Sequence, residues 1–306
     1  MDPLEPPRLT RPEWEGLEPP LTLPEALPHL LPHRWWRNRF DIRVHAWRVT
    51  LPGWPRAFDG LRLVQCSDLH AGCFPDAGPL RRIPELISSL RPDLFVFTGD
   101  LVHGRPAEIL PYVADFAQVQ ASLGRYAILG NHDYGYYAEW PSEQARIAQA
   151  AQLVHEVYPA LGWRLLRNEA LRPLPGEPSV ALLGLEDWGS KRLGRRHADA
   201  EPALMQAQGA RVRILLAHRP SFWRRIVTER HPQMDLTLSG HTHGTQIGVD
   251  LPGFQASLLQ QLFPDWAGWY RSGRQWLYVN RGLGFSARTW RIGVLPEITV
   301  MELYSA

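Results

Sequence analysis

The stretch Leu236-Thr237-Leu238-Ser239-Gly240-His241-Thr242-His243-Gly244 sets the reading of the whole chain. A short apolar run that stops at a glycine reads as a buried strand. Beyond its end stand two imidazoles, one residue apart and bracketed by glycines. The same pattern recurs upstream. Residues 61–66 run into Ser67-Asp68-Leu69-His70, residues 93–98 into Gly99-Asp100, residues 126–129 into Gly130-Asn131-His132-Asp133, and residues 212–217 into His218. Further strands are expected at 180–185, 275–280 and 298–303. Helices are expected at 81–90, 107–123 and 142–158, the last with Ile147, Ala151, Val154 and Tyr158 at helical spacing. Strands alternating with helices predict an α/β fold, and strand ends in such sheets are where ligands collect.

Residue types and spacing point to metal chemistry. Asp68 and His70 are two apart, so extended backbone would turn both to one side to share a cation. His241 and His243 stand in the same relation, although a curled turn would let them reach two ions side by side. Gly99, Gly130, Gly240 and Gly244 allow sharp turns and close backbone approach. Two carboxylates, an amide and five imidazoles at one rim are costly to bury unless something neutralises and orients them. A mixed nitrogen and oxygen set without thiolate suits Mn, Fe or Zn better than Ca.

Taken in order, Asp68-Leu69-His70, Gly99-Asp100, Gly130-Asn131-His132-Asp133, His218 and Gly240-His241-Thr242-His243 resemble the signature of the calcineurin-like metallophosphoesterases over roughly residues 60–245. The tail resembles the branch containing the bacterial phosphodiesterases YkuE and YaeI. It is carried by Trp266-Ala267-Gly268-Trp269-Tyr270, Leu277-Tyr278-Val279-Asn280-Arg281-Gly282-Leu283-Gly284 and Pro296-Glu297-Ile298-Thr299. The resemblance implies a four-layer αββα fold, two facing mixed β-sheets flanked by helices. It implies Asp68, His70 and His243 on one metal, Asn131, His218 and His241 on a second, and Asp100 bridging them. His132 would be the catalytic residue facing substrate, with Asp133 orienting its imidazole. The cofactors implied are two divalent or trivalent transition-metal ions (Mn, Fe or Zn). The reaction implied is hydrolysis of a phosphodiester or pyrophosphate by in-line attack of a bridging hydroxide at a dinuclear centre. A phosphomonoesterase or protein phosphatase of the same fold is the alternative. A non-catalytic scaffold is a third reading, disfavoured by the complete ligand set. Two departures stand out. His103 occupies a position where relatives often carry Asp, and reads as a substitute supporting a ligand or as a substrate contact. Thr245 replaces a common glycine, which should alter the loop beside the metals.

Composition narrows the partners. With 306 residues, 44% hydrophobic and 21% charged, the chain is the size of one catalytic domain, expected over residues 34–306 behind a Pro-rich N-terminal arm at 1–33. A net charge of +2 does not by itself argue for nucleic acid, which is not expected as a partner. Lys191 is the only lysine, so the positive charge is nearly all arginine. Cys66 and Cys73 make no disulfide framework, and Cys73 reads as a loop filler. Pro24, Pro28 and Pro32 break the apolar N-terminal stretch, so a cytoplasmic location is expected. The patch Arg34, Trp35, Trp36, Arg37, Arg39 and Phe40 leaves peripheral membrane contact open, but reads first as the lead into a strand over Ile42, Val44 and Ala46. The substrate is expected to be a phosphorylated small molecule or a lipid-linked one, with no obligate protein partner evident. Residues 251–270 carry Phe254, Leu258, Leu259, Leu262, Phe263, Trp266, Trp269 and Tyr270. They read as a helix whose aromatic stripe completes the core, or else as a lobe for an acyl chain, sugar or base.

Overall fold

Near-continuous apolar runs such as Leu61–Cys66 and Leu94–Phe97 belong in sheets covered on both faces, and they are found there. A computed structural model of the chain describes residues 17–18, 40–75, 77–189, 197–251, 254–286 and 289–306. Most of the expected 1–33 arm, Lys191 and Arg34–Arg39 lie outside the described residues. Phe40 is described, and packs against Phe74 and Phe285.

Two mixed sheets form. The first has seven strands in the order Leu17–Glu18, Arg43–Leu51, Glu297–Ser305, Leu61–Cys66, Leu94–Phe97, Gly124–Ala127 and Arg164–Leu165. The second has six, in the order Gly268–Ser272, Gln275–Val279, Leu236–Ser239, Val212–Leu216, Val180–Gly184 and Glu169–Leu171. The strands that lead to the candidate residues pair in parallel within each sheet. All their C-terminal ends therefore fall on one rim.

Three apolar layers hold this together. Val49, Leu63, Val96 and Ile128 of the first sheet meet Leu182, Ile214, Leu238 and Tyr278 of the second. Outside the first sheet, Phe95 and Phe97 pack on Ile83 and Ile87 of the helix Ala77–Ser89 and on Tyr158. Outside the second, Leu183, Leu215 and Val279 pack on Ala203, Phe222 and Trp223. The result is helix, sheet, sheet, helix. Each fully buried Leu, Val or Phe is worth about 1.5–3 kcal/mol over its exposed state, so the rim rests on a rigid support. Among the described residues no helix is long and apolar enough to cross a membrane, and Cys66 and Cys73 are both free thiols.

Three helix expectations need correction. The segment 107–123 breaks into turns at Pro106–Glu108 and Leu110–Tyr112 and one short helix, Val113–Phe116, because Pro106 and Pro111 donate no backbone hydrogen bond. The helix capped by Ser142 does form, but a π-turn over Leu153–Val157 inserts an extra residue. That shifts the inward face to Leu153, Val157, Tyr158 and Leu161, and leaves Ile147 53% exposed. Among the described residues of 251–270 no helix forms. Val249–Leu251 and Phe254–Ala256 make a small hairpin, turns follow, and Gly268–Ser272 is a strand. Trp266 and Trp269 are buried, but Leu258 is 86% and Leu262 74% exposed.

Candidate metal centre

Five of the candidate ligands share an unusual backbone. Asp68 (φ 51°), His70 (45°), Asp100 (59°), His241 (74°) and His243 (52°) are all left-handed, a conformation costing about 1–2 kcal/mol for a residue with a side chain. Extended backbone is therefore not what brings Asp68 and His70 together, contrary to the spacing expectation. The strain is held by hydrogen bonds between rim loops, within the first sheet and across to the second. Asp68 N–H donates to the Gly99 carbonyl at 2.8 Å, His70 N–H to Asp100 at 3.1 Å, and Gly284 N–H to Asp68 at 2.8 Å. Gly240 lies so close that an added Cβ would stand 2.0 Å from Ser67 Oγ and 2.2 Å from Asp68 Oδ2.

Among the described residues three donor groups have ligating atoms within 4.8 Å of one another: Asp68 with His70 and His243, Asp100 with His218 and His241, and His70 again with His103 and His132; the first two hold the candidate ligands. Nε2 of His70 and Nε2 of His243 are 3.0 Å apart, and His243 Nε2 is 3.5 Å from Asp68 Oδ1. Asn131 joins the second group through Oδ1, 3.1 Å from His218 Nε2. Asp100 Oδ2 lies between the groups, 3.4 Å from His70 Nε2 and 3.2 Å from His218 Nε2.

These contacts make sense only around a cation or a proton. His218 Nδ1 is 2.8 Å from the Thr98 carbonyl, so Nδ1 carries the hydrogen and Nε2 the lone pair in the neutral ring. That lone pair then faces the oxygens of Asp100 and Asn131. Burial pulls the His218 imidazole down, but the Asp100 and Asp68 carboxylates outweigh it and hold it up at about 10. Burial also pulls His70 down to about 4, and holds His241 and His243 well below the ordinary value. Neutral imidazole is the form that binds metal. Burial and the charge of Asp100 raise Asp68 to about 6. Burial pushes Asp100 up too, yet His218 and His132 outweigh it and hold it well below the carboxylate range. The donor set fits metal ions.

His132 sits beside these groups, its ring centroid 4.5 Å from that of His70 and stacked 4.0 Å from Tyr137. Asp133 does not orient it. The Asp133 carboxylate accepts the N–H groups of Gly130 (2.8 Å), Asp100 (2.9 Å), Leu101 (2.9 Å) and Val102 (3.2 Å), tying two rim loops together. Burial and Asp100 raise its carboxyl to about 7. The imidazole of His132 instead points Nδ1 at the His103 carbonyl, 2.6 Å away. His103 also places Nδ1 3.3 Å from His70 Nδ1, as a substitute supporting a ligand would. The Thr245 hydroxyl donates within its own loop and meets Ser257 Oγ at 2.5 Å.

Two arginines escape the sequence reading. Arg219 follows His218 directly, which was a signal in plain view. Its Nε donates to Asp187 at 2.6 Å and its Nη1 stands 3.0 Å from His241 Nε2. Arg291, 1% exposed, reaches the His243 carbonyl at 3.2 Å. Nothing near it in the sequence marks it.

A family model described as calcineurin-like phosphoesterase matches residues 61–245. The chain is 30% identical over 259 residues to the uncharacterized metallophosphoesterase YkuE of Bacillus subtilis, covering 82% of each protein. It is 30% identical over 315 residues to the UDP-2,3-diacylglucosamine pyrophosphatase LpxG of Chlamydia trachomatis, covering 87% of this chain and 92% of that one. A transmembrane protein with metallophosphoesterase domain from Danio rerio is 32% identical over 259 residues, 82% of this chain but 55% of its own length. The chain thus matches about half of that relative.

Proposed function

The chain belongs to the calcineurin-like phosphoesterase family, and on that premise we propose that it hydrolyses a phosphodiester or pyrophosphate bond at a dinuclear metal centre. The observation that carries this is the position of Asp100 Oδ2, within 3.4 Å of His70 Nε2 and 3.2 Å of His218 Nε2. In this reading Asp68, His70 and His243 hold one ion, Asn131, His218 and His241 the other, and Asp100 both. Bound there, Mn, Fe or Zn would supply Lewis acidity and a nucleophilic oxygen at neutral pH.

The chain's own residues do the rest. Asp133 fixes the loops that carry Asp100 and Asn131 through its four backbone hydrogen bonds. With Nδ1–H committed to the His103 carbonyl, His132 has Nε2 available to hand a proton to the leaving oxygen, and the carbonyl steadies the ring in either state. Burial of the donors excludes bulk water and strengthens every charge interaction inside.

A lipid-linked substrate is favoured by the exposed apolar side chains that follow the metal loop. Leu258, Leu262, Trp290 and Ile292 are 86%, 74%, 37% and 48% exposed. Their segments are tied to the rim by Thr242 Oγ1 donating to the Trp266 carbonyl at 2.7 Å and by the Ile247–Ile292 bridge. LpxG, by its name, acts on a diacylated sugar nucleotide. A cytoplasmic enzyme touching a membrane peripherally is part of the same reading.

The test is metal analysis with turnover. The purified protein should carry transition metal, and with added Mn²⁺ should hydrolyse bis-(p-nitrophenyl) phosphate faster than p-nitrophenyl phosphate. Faster turnover of the monoester would favour a phosphomonoesterase. Absence of both metal and turnover would overturn the reading.

A further inference from the structure

Arg219 is held at one end and open at the other. Its Nε donates to Asp187 Oδ1 at 2.6 Å, and both side chains are nearly enclosed, 11% and 5% exposed. The second oxygen of Asp187 accepts the Gly189 N–H at 3.0 Å, so the carboxylate is fixed too. From this anchor the guanidinium extends to the second donor group, where Nη1 stands 3.0 Å from His241 Nε2.

That last contact cannot survive a metal on His241. A neutral imidazole has one lone-pair nitrogen. If Nε2 takes the metal, its lone pair is gone. If Nδ1 takes it, Nε2 carries the hydrogen. In both cases Nη1 loses its acceptor while Asp187 keeps the guanidinium in place. A cationic donor left without an acceptor in a confined site is costly, and an anionic oxygen removes the cost. Guanidinium is also the side chain best shaped for phosphoryl oxygens.

We propose that Arg219 is the substrate's anion clamp, donating from Nη1 to a non-bridging phosphoryl oxygen once metal is bound, with Asp187 as its positioning residue. This rests on the phosphoesterase reading above, and it singles out substrates with an unesterified phosphoryl oxygen near the second ion, as phosphodiesters and diphosphates have.

The experiment uses Mn²⁺-loaded wild type, R219Q, R219K and D187N. It measures bound metal by atomic emission, inorganic phosphate binding by calorimetry, and kcat and KM separately. R219Q should keep its metal and bind phosphate about 30-fold more weakly. R219K, with the charge but not the planar fork, should fall between R219Q and wild type. D187N should raise KM more than it lowers kcat. In metal-free protein, wild type and R219Q should bind phosphate equally weakly, since His241 then occupies Nη1. Equal phosphate affinity in loaded wild type and R219Q would overturn the clamp. So would a loss of metal from R219Q that parallels its loss of phosphate, because Arg219 would then act on His241. If loaded wild type binds phosphate and R219Q does not, while neither hydrolyses any ester, the clamp stands and the hydrolase reading falls.

Discussion

Arg291 and Arg219 each touch a histidine of the rim, one behind the group of Asp68, His70 and His243, the other beside the group of Asp100, His218 and His241. Their hydrogen bonds go to different partners. Arg291 spends its donors on the carbonyls of Gly282, Gly284 and His243, and among the described residues it has no ion pair. Burial lowers its guanidinium to about 9. The Gly282 and His243 carbonyls also accept the N–H groups of Glu297 and Gln246, so Arg291 adds a second donor there and gives two bonds to Gly284. Arg219 is anchored on a carboxylate and has Nη1 on the site. The first group is closed by the chain itself, and on the proposed clamp the second is the one that meets substrate.

The largest expected effects test whether the groups are separate. Asp100→Ala should strip both ions and lower kcat by roughly 10⁴-fold or more, because its carboxylate stands between His70 and His218. His243→Ala and His241→Ala should each leave about half the bound metal. Atomic emission on the purified variants decides this, and equal loss in all three would mean a single cooperative site. Next comes His132→Ala, expected to cost about 10²–10⁴-fold in kcat with metal content unchanged. His132 lies within reach of His70 and His103 as a third donor cluster. A fall in bound metal would make it a ligand instead.

Stability separates the arginines. Arg291→Met removes both of its hydrogen bonds to the buried Gly284 carbonyl and should lower unfolding stability by roughly 2 kcal/mol, read by urea titration of the metal-free protein. Arg219→Gln combined with Asp187→Asn removes both partners of the nearly enclosed ion pair and leaves no unpaired buried charge, so it should cost about 1 kcal/mol or less. Similar losses in both would remove the distinction between a closed group and an open one.

How far the sequence carried this reading follows from the range of each signal. The strands at 61–66, 212–217 and 236–239 are legible because burial on both faces favours near-continuous apolar runs, and the Asp and His residues at their ends need no contact map. The left-handed turns at Asp68, His70 and Asp100 were not legible. They are imposed by hydrogen bonds from strands distant in sequence, such as Gly284 N–H to Asp68. The role of Asp133 was misread for the same reason, since its partners include residues 100–102. Local spacing also misplaced Ile147, because one π-turn downstream resets which residues face inward. At 251–270 the apolar residues are plain in the sequence, but Pro264 interrupts the helix that their spacing suggests.

Those residues give the smallest expected effect. If the second group meets substrate from outside, the exposed side chains beside its loop should matter only for substrates with something apolar to bury. Leu258→Ser with Leu262→Ser removes the two most exposed leucines among the described residues. Being already in water, they should change stability by no more than about 0.5 kcal/mol, and turnover of bis-(p-nitrophenyl) phosphate should stay as in the wild type. Against an acyl-bearing phosphodiester or pyrophosphate, kcat/KM should fall by about tenfold. Two leucine side chains half-covered by an acyl chain contribute roughly 1–2 kcal/mol. With the chemistry at the buried groups, as proposed, the loss should fall on KM and leave kcat unchanged. A loss that struck the small and the acylated substrate equally would mean that the strip supports the metal loop, to which Thr245 and Ser257 join it, and does not select substrate.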